Sequence, residues 1–340
     1  MLALTRAEID LGAIRHNVRL LCRHVGAGVR LMAVVKANGY GHGAVPVARA
    51  ALDAGASWLG VASVAEGIAL RDAGLRAPIL VLGYTPPTLA AEAIRHDLSL
   101  TVYDVGIARE IGRVARVLDR LARVHVKVDT GMHRLGLLPQ QVPHALAEIS
   151  TTPGVHIEGV FTHLSSADSD PEYTLWQVQR FREATAGANV MLRHVCNSAG
   201  TLSYPQAHYD LVRVGIALYG LSPYAPLPPA SPLVAHLRPA LTLKTVIASV
   251  KWLPDGARVG YGGRYRCKGA CRIAVIPIGY GDGFRRAPQN FGEVLVRGRR
   301  APIVGNVCMD QSMIDVTHIP EAQLDDEVVL IGQQGDESIT

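Results

Sequence analysis

No stretch of the 340-residue chain holds the ~18 consecutive apolar residues that a membrane-spanning helix needs, so no helical span is expected. Aromatic residues are scarce, at 5%. They are not interleaved with any basic run, and the net charge of +5 is spread thinly, mostly as arginine on helix-like segments. Nucleic-acid binding is therefore not expected, whereas a surface that attracts small anions is. The opening residues, MLALTRAEIDLGAIRHN, have no basic region ahead of a long apolar core, which argues against a secretion signal. Five cysteines, an odd number, then point to a reducing cytoplasm and to no disulfide framework. Cys267 and Cys271 are near neighbours, but no second Cys/His pair completes a zinc set, so no metal is expected. Low-complexity tracts and short repeats are also missing.

What is present is an ordinary globular composition, 49% hydrophobic and 19% charged. After an opening strand-helix pair, apolar runs of strand length alternate with segments of helical period. The strand candidates are 30–36, 57–62, 77–83, 98–103, 123–129, 155–163, 190–197 and 209–214. Their continuous Val/Ile/Leu character implies strands buried on both faces, hence a parallel sheet. Eight such units predict a TIM-type (β/α)8 barrel, with a doubly wound open sheet as the alternative. Near residue 220 the pattern changes. The proline-rich LSPYAPLPPASPL reads as a linker, and short strands without convincing helices follow it. The expected division is a barrel over 1–225 and a smaller, mostly β domain over 226–340.

Polar residues collect where the barrel strands end, which is where such barrels place their active sites. Lys36 ends the first strand, Lys127 and Asp129 the fifth, with Arg134 just beyond. His163, Asn197 with Ser198, and Arg213 with Gly215 and Ile216 end the last three. Any one of these could be an ordinary surface or salt-bridging residue; together they imply one polar pocket. Lys36 sits between AVV and A, and apolar flanks favour a desolvated amine suited to Schiff-base chemistry. The glycines after it match neither a phosphate-binding P-loop nor the dinucleotide fingerprint. Ser198 and the Gly215-Ile216 backbone are placed instead to bind a phosphate after strands seven and eight. A Schiff-base lysine beside a phosphate site points to pyridoxal 5'-phosphate.

Six segments, AVVKANGYGHG, KVDTGMHRLG, CNSAG, VRVGIALYG, GYGDGF and GNVCMDQSMID, occur in order over nearly the whole chain. Together they resemble the alanine racemase family. The resemblance implies a pyridoxal-phosphate barrel followed by a β domain, a head-to-tail homodimer with shared active sites, and racemization of alanine that supplies D-alanine for the cell wall. It implies that Lys36 carries the cofactor and serves as one proton-transfer base. The opposing base would be Tyr261. Tyr40 would contact the phosphate, Arg213 would face the pyridine nitrogen, and His163 and Asn197 would support the ring. His163 and Arg213 would supply the cationic surroundings that Tyr261 needs. Arg134 would hold the substrate carboxylate, oriented by Lys127 in carbamylated form. Tyr280, Met309 and Asp310 would reach into the partner's site, and Cys308 would be a small buried residue. Serine or broad-specificity racemases, a non-catalytic cofactor-binding barrel and a basic amino-acid decarboxylase are the alternatives. Two departures stand out: His133 occupies a position where glycine is common, and the chain stops a few tens of residues before the family's usual end.

Overall fold

The computed structural model describes residues 4–339 except Pro226, Pro229, Ala287 and Gln289. Its chain divides into two compact units, one of residues 11–240 and one of residues 241–339 together with the segment before residue 11.

In the first unit, β2 (Arg30–Val34), β3 (Trp58–Val61), β4 (Ile79–Val81), β5 (Ser99–Val102), β6 (Ala122–Lys127), β7 (Val155–Phe161), β8 (Leu192–His194) and β9 (Leu211–Val214) form one sheet. Its order is β8-β7-β6-β5-β4-β3-β2-β9, and every adjacent pair is parallel. Its two ends meet through hydrogen bonds from Asp210 N to Arg193 O (3.1 Å) and from Arg213 N to Cys196 O (3.0 Å), so the sheet is a nearly closed barrel and not a doubly wound sheet. Side chains alternate across each strand. Met32, Trp58, Leu80, Leu192 and Leu211 point inward as a small apolar cluster. Leu31, Ala33, Leu59, Ile79, Val124 and Val126 face the other way, into the core beneath the helices.

The helices follow local chemistry. In Leu11–Val25, Ile14, Val18 and Leu21 make one buried stripe, and Gly26 closes the helix in the left-handed region (φ 81°). Ser63, Asp104, Asp170 and Asn197 each cap a helix by accepting from a backbone N–H three residues on.

The second unit is antiparallel. The strand β1 (Arg6–Ile9), which lies inside the range of 1–225 expected for the barrel domain, instead pairs with β10 (Leu241–Val246), Arg6 opposite Lys244. In chain order there follow β11 (Ser249–Leu253), a separate hairpin of β12 (Arg258–Val259) and β13 (Tyr265–Arg266), then β14 (Cys271–Ile276) and β15 (Glu293–Val296). The remaining strands are β16 (Arg299–Val304), β17 (Ser312–Asp315), β18 (Glu327–Gln334) and β19 (Glu337–Ile339). Val294, Val296, Ile303, Ile314, Val328 and Leu330 form its core.

The boundary between units lies at 240/241, not at 225/226. Asn17 explains the difference. This buried side chain donates to Leu218 O (3.1 Å) and Arg238 O (2.8 Å) and accepts from Arg238 N (2.8 Å), which ties Arg238 onto the barrel, while Ala240 N donates to Tyr219 O (3.1 Å). Pro226 and Pro229 of the expected linker lie outside the described residues.

Candidate active site

Lys36 stands two residues past the end of β2 and is half-buried. The chain after it does something sequence patterns did not reveal. Ala37, Asn38, Gly39, Tyr40 and Gly41 are all left-handed, with φ of 51°, 52°, 63°, 53° and 82°. Three of the five are not glycine, so the turn was not shaped by its glycines alone. L-residues resist this conformation by about 1–2 kcal/mol each, so the surroundings must hold it. Glu66 accepts from Ala37 N (2.8 Å) and Ala62 N (2.6 Å), Asn38 Oδ1 accepts from Ala44 N (3.0 Å), and Tyr219 packs on the Tyr40 ring at 4.8 Å.

This turn carries Tyr40 to Gly215, just past the end of the neighbouring strand β9. A Cβ on residue 215 would stand 2.5 Å from the Tyr40 hydroxyl, so glycine is required there for close approach. Burial raises the pKa of Tyr40, which keeps its hydroxyl a neutral donor. Ser198 Oγ accepts from Gly215 N (3.1 Å) and Ala217 N (3.3 Å), leaving its own O–H free to donate. Two hydroxyl donors thus converge on one glycine turn, an arrangement that fits a phosphate.

All ten expected barrel residues, Lys36, Tyr40, Lys127, Arg134, His163, Asn197, Ser198, Arg213, Gly215 and Ile216, line a single cavity of about 490 Å³. Lys36, Lys127, Arg134 and Arg213 bring four cations to it. Burial and then Arg213 and Arg134 push the Lys127 amine down to about 8. Asp129 is committed to the loop behind them: it accepts from Gly131 N (3.1 Å) and His133 N (2.9 Å) and pairs with the His133 ring (3.4 Å). His133 has φ 53°, which explains why glycine suits this position and how histidine is held in it.

Arg213 is fully enclosed. It donates to Thr162 O (2.7 Å), Val195 O (3.0 Å), His163 Nδ1 (3.2 Å) and His194 Nδ1 (3.0 Å). Burial and the positive charge of Arg213 hold the His163 pKa well below its ordinary value. His163 is therefore neutral, contrary to the expectation that it would add positive charge; Arg213, lowered by burial only to about 10, remains the cation.

The second unit gathers its own expected residues. Tyr261 stands on the β12–β13 hairpin, between Gly260 (φ 71°) and Gly262 (φ 74°), and is 71% exposed. It shares an open depression with Met309 and Asp310. Tyr280 N donates to Cys308 O (3.0 Å) and Gly281 N to Met309 O (2.8 Å), which joins the GYGDG and CMD segments. Cys308 is half-buried, not buried, because it lies at the edge of that depression.

Residues 9–223 match the family model for the alanine racemase N-terminal domain, and residues 240–340 match the model for its C-terminal domain. The chain belongs to the alanine racemase family. It is 49% identical to an alanine racemase of Symbiobacterium thermophilum, over 99% of this chain and 89% of that one. An alanine racemase structure from Clostridium difficile 630 superposes with a TM-score of 0.92 at 35% identity, covering 99% of this chain and 89% of the other. The alanine racemase of Bacillus anthracis with bound L-Ala-P gives 0.90 at 39% identity, covering 100% and 88%. Alanine racemases are isomerases that use pyridoxal 5'-phosphate, and the convergent hydroxyls, glycine turn and lysine described above fit that group. No helix among the described residues is long and apolar enough to cross a membrane.

Reading strand ends overlooked the groups behind the cavity wall. Glu66 falls in the Ser63-x-x-Glu66 pattern of a helix start, which marks a cap and not a catalytic site. His125, Glu158 and His194 lie inside runs read as apolar strands; the signal was their polarity in otherwise buried segments.

Proposed function

We propose that each barrel residue takes the role its position in the cavity suits, in the racemization of alanine. Tyr40 and Ser198 hold the phosphate with the backbone of Gly215 and Ile216, while Lys36 anchors the cofactor through its amine and moves a proton on one face of the substrate Cα. Bound there, pyridoxal phosphate draws electrons from the substrate nitrogen and acidifies the Cα–H. Arg213 has only N–H groups to offer, so it faces the ring nitrogen as a donor and cannot protonate it fully. His163 and Asn197 support the ring, and Arg134 binds the substrate carboxylate. Inversion needs a second base on the opposite face. Tyr261 of a second copy, with Tyr280, Met309 and Asp310 around it, supplies that base in a homodimer with shared sites. The barrel is the cofactor-binding part, and the enzyme works in the cytoplasm, where D-alanine is made for the cell wall.

The observation that carries this reading is the convergence of all ten barrel residues on one cavity. Its test is incubation of the cofactor-loaded protein with L-alanine in heavy water. Formation of D-alanine together with deuterium at Cα is expected. Exchange confined to serine or to other amino acids would remove alanine as the substrate.

Carbamylation of Lys127 gives a second prediction. An unmodified Lys127 ammonium is buried among cations, with a pKa near 8 against 10.5 in the unfolded chain. Below pH 8 it is charged in both states, and the fold carries the whole penalty. Between pH 8 and 10.5 the unfolded chain binds more protons, so stability rises with pH. In buffer freed of carbon dioxide, Lys127→Met is therefore expected to raise unfolding free energy at pH 7 by roughly 2–3 kcal/mol, a gain that fades above the normal lysine pKa. With bicarbonate present the sign reverses, because the carbamate then pairs with Arg134. Denaturation midpoints under both conditions decide it; no dependence on bicarbonate would leave Lys127 unmodified.

A further inference from the structure

Arg213 is a buried cation whose hydrogen bonds go to two carbonyls and two imidazoles. Charges removed from water need compensation. Following the bonds away from the cavity finds it. His194 Nε2 lies 2.9 Å from His125 Nδ1, His125 Nε2 lies 3.2 Å from Glu158 Oε2, and Ser99 donates to the same oxygen at 2.6 Å. The two imidazoles are fully buried.

The direction of every proton in this chain is forced. An arginine can only donate, so His194 Nδ1 accepts. Were His194 also to accept at Nε2, it would be an imidazolate. It must therefore donate from Nε2, and His125 must accept at Nδ1. A neutral His125 then carries its proton on Nε2 and donates to Glu158. Burial, the leading effect on both rings, keeps them neutral. Burial alone would raise the Glu158 pKa, but the bonds from His125 and Ser99, together with the nearby charge of Arg123 (4.0 Å from Oε1), outweigh it and lower the pKa, so the acceptor is a carboxylate.

The backbone is shaped for this chain. Register between β6 and β7 slips at Val124/His125: Val124 pairs with Ile157 and His125 with Gly159, so Glu158 is the extra residue of a bulge. Bulges re-aim a side chain, and here the re-aimed group is the carboxylate. At Gly159 a Cβ would stand 2.7 Å from His125 Nδ1, so only glycine leaves room for the ring. A packing role alone would require neither the bulge nor a carboxylate inside the barrel.

We infer that Glu158 is a positioning residue for Arg213: through His125 and His194 it fixes the proton on each link and holds the guanidinium in one orientation at the floor of the cavity. The inference rests on the reading of Arg213 as the group that faces the cofactor ring. It extends the site along the barrel interior to a residue that touches neither substrate nor cofactor.

The test uses the full-length, cofactor-loaded enzyme with isotope-labelled histidine ring nitrogens. His125 and His194 are expected to give nitrogen signals of neutral rings protonated at Nε2. Glu158→Leu removes the acceptor. It is expected to mix the tautomers of both rings and to lower kcat about tenfold, the size of effect seen when outer partners of a site are lost, with KM for alanine unchanged. Glu158→Gln keeps an oxygen that can accept and is expected to restore the Nε2 tautomers and most of kcat. Rings protonated at Nδ1, wild-type kcat in Glu158→Leu, or an equal loss in both variants would overturn the inference. The tautomer signals do not depend on what Arg213 faces. If they are as expected but Arg213→Lys leaves the absorbance of the bound cofactor unmoved, the reading of Arg213 falls, and with it the catalytic consequence, while the directed chain stands.

Discussion

Replacing Lys36 by alanine is expected to reduce racemization by about ten-thousand-fold or more, the scale of losing the covalent and proton-transferring group together. The fold should survive. Lys36 is half-buried and its side chain makes no hydrogen bond among the described residues, so alanine leaves no unpaired partner. Removal also takes one charge from a cavity with three other cations, which relieves repulsion. The variant should therefore unfold at or slightly above the wild-type temperature while losing any cofactor that borohydride can fix to the chain. Borohydride-fixed cofactor persisting in Lys36→Ala would place the anchor elsewhere, with Lys127 the next amine in the cavity. Residual non-covalent binding is compatible with the reading, since Tyr40, Ser198 and the Gly215 turn remain.

Tyr261→Phe should have the second largest effect, and its signature is asymmetry. The substitution deletes one oxygen from a side chain that is 71% exposed, so stability should be nearly unchanged. As a general base the phenol accounts for a factor of about 10²–10⁴. That loss should fall on abstraction from one enantiomer. In heavy water, one of L- and D-alanine should still exchange its α-proton through Lys36, whereas the other should not. Equal, slight losses for both enantiomers would remove Tyr261 from the proton path. Exchange without racemization would be the clearest sign that one of two opposed bases has been silenced.

How much of this was legible beforehand depended on whether a feature left a mark on local sequence. The eight barrel strands did, because strands buried on both faces must be apolar throughout. So did the cavity residues, since strand ends are where polar groups interrupt those runs. The destination of Arg6–Ile9 did not: a four-residue strand with charged members carries no record of its partner, and only the pairing with Leu241–Val246 decides it. The Glu158 bulge was hidden for a related reason. One extra residue in β7 changes register without changing composition, and the histidines it serves looked like exceptions in apolar strands. His163 shows a third kind of failure: a strand end located it, but only its burial in the packed site, with Arg213 and Lys127 around it, says that it is neutral.

The turn after Lys36 has one more consequence. Five successive residues there follow the mirror image of the ordinary helical path. In that geometry the hand of the residue, not its side chain, is what fits poorly. Ala37 is consequently a site where the mirror-image form of its own amino acid would sit with less strain than the natural one, by roughly 1–2 kcal/mol. A chain assembled by semisynthesis with D-alanine at position 37 would have a stiffer mount for Lys36 than the ribosome can make.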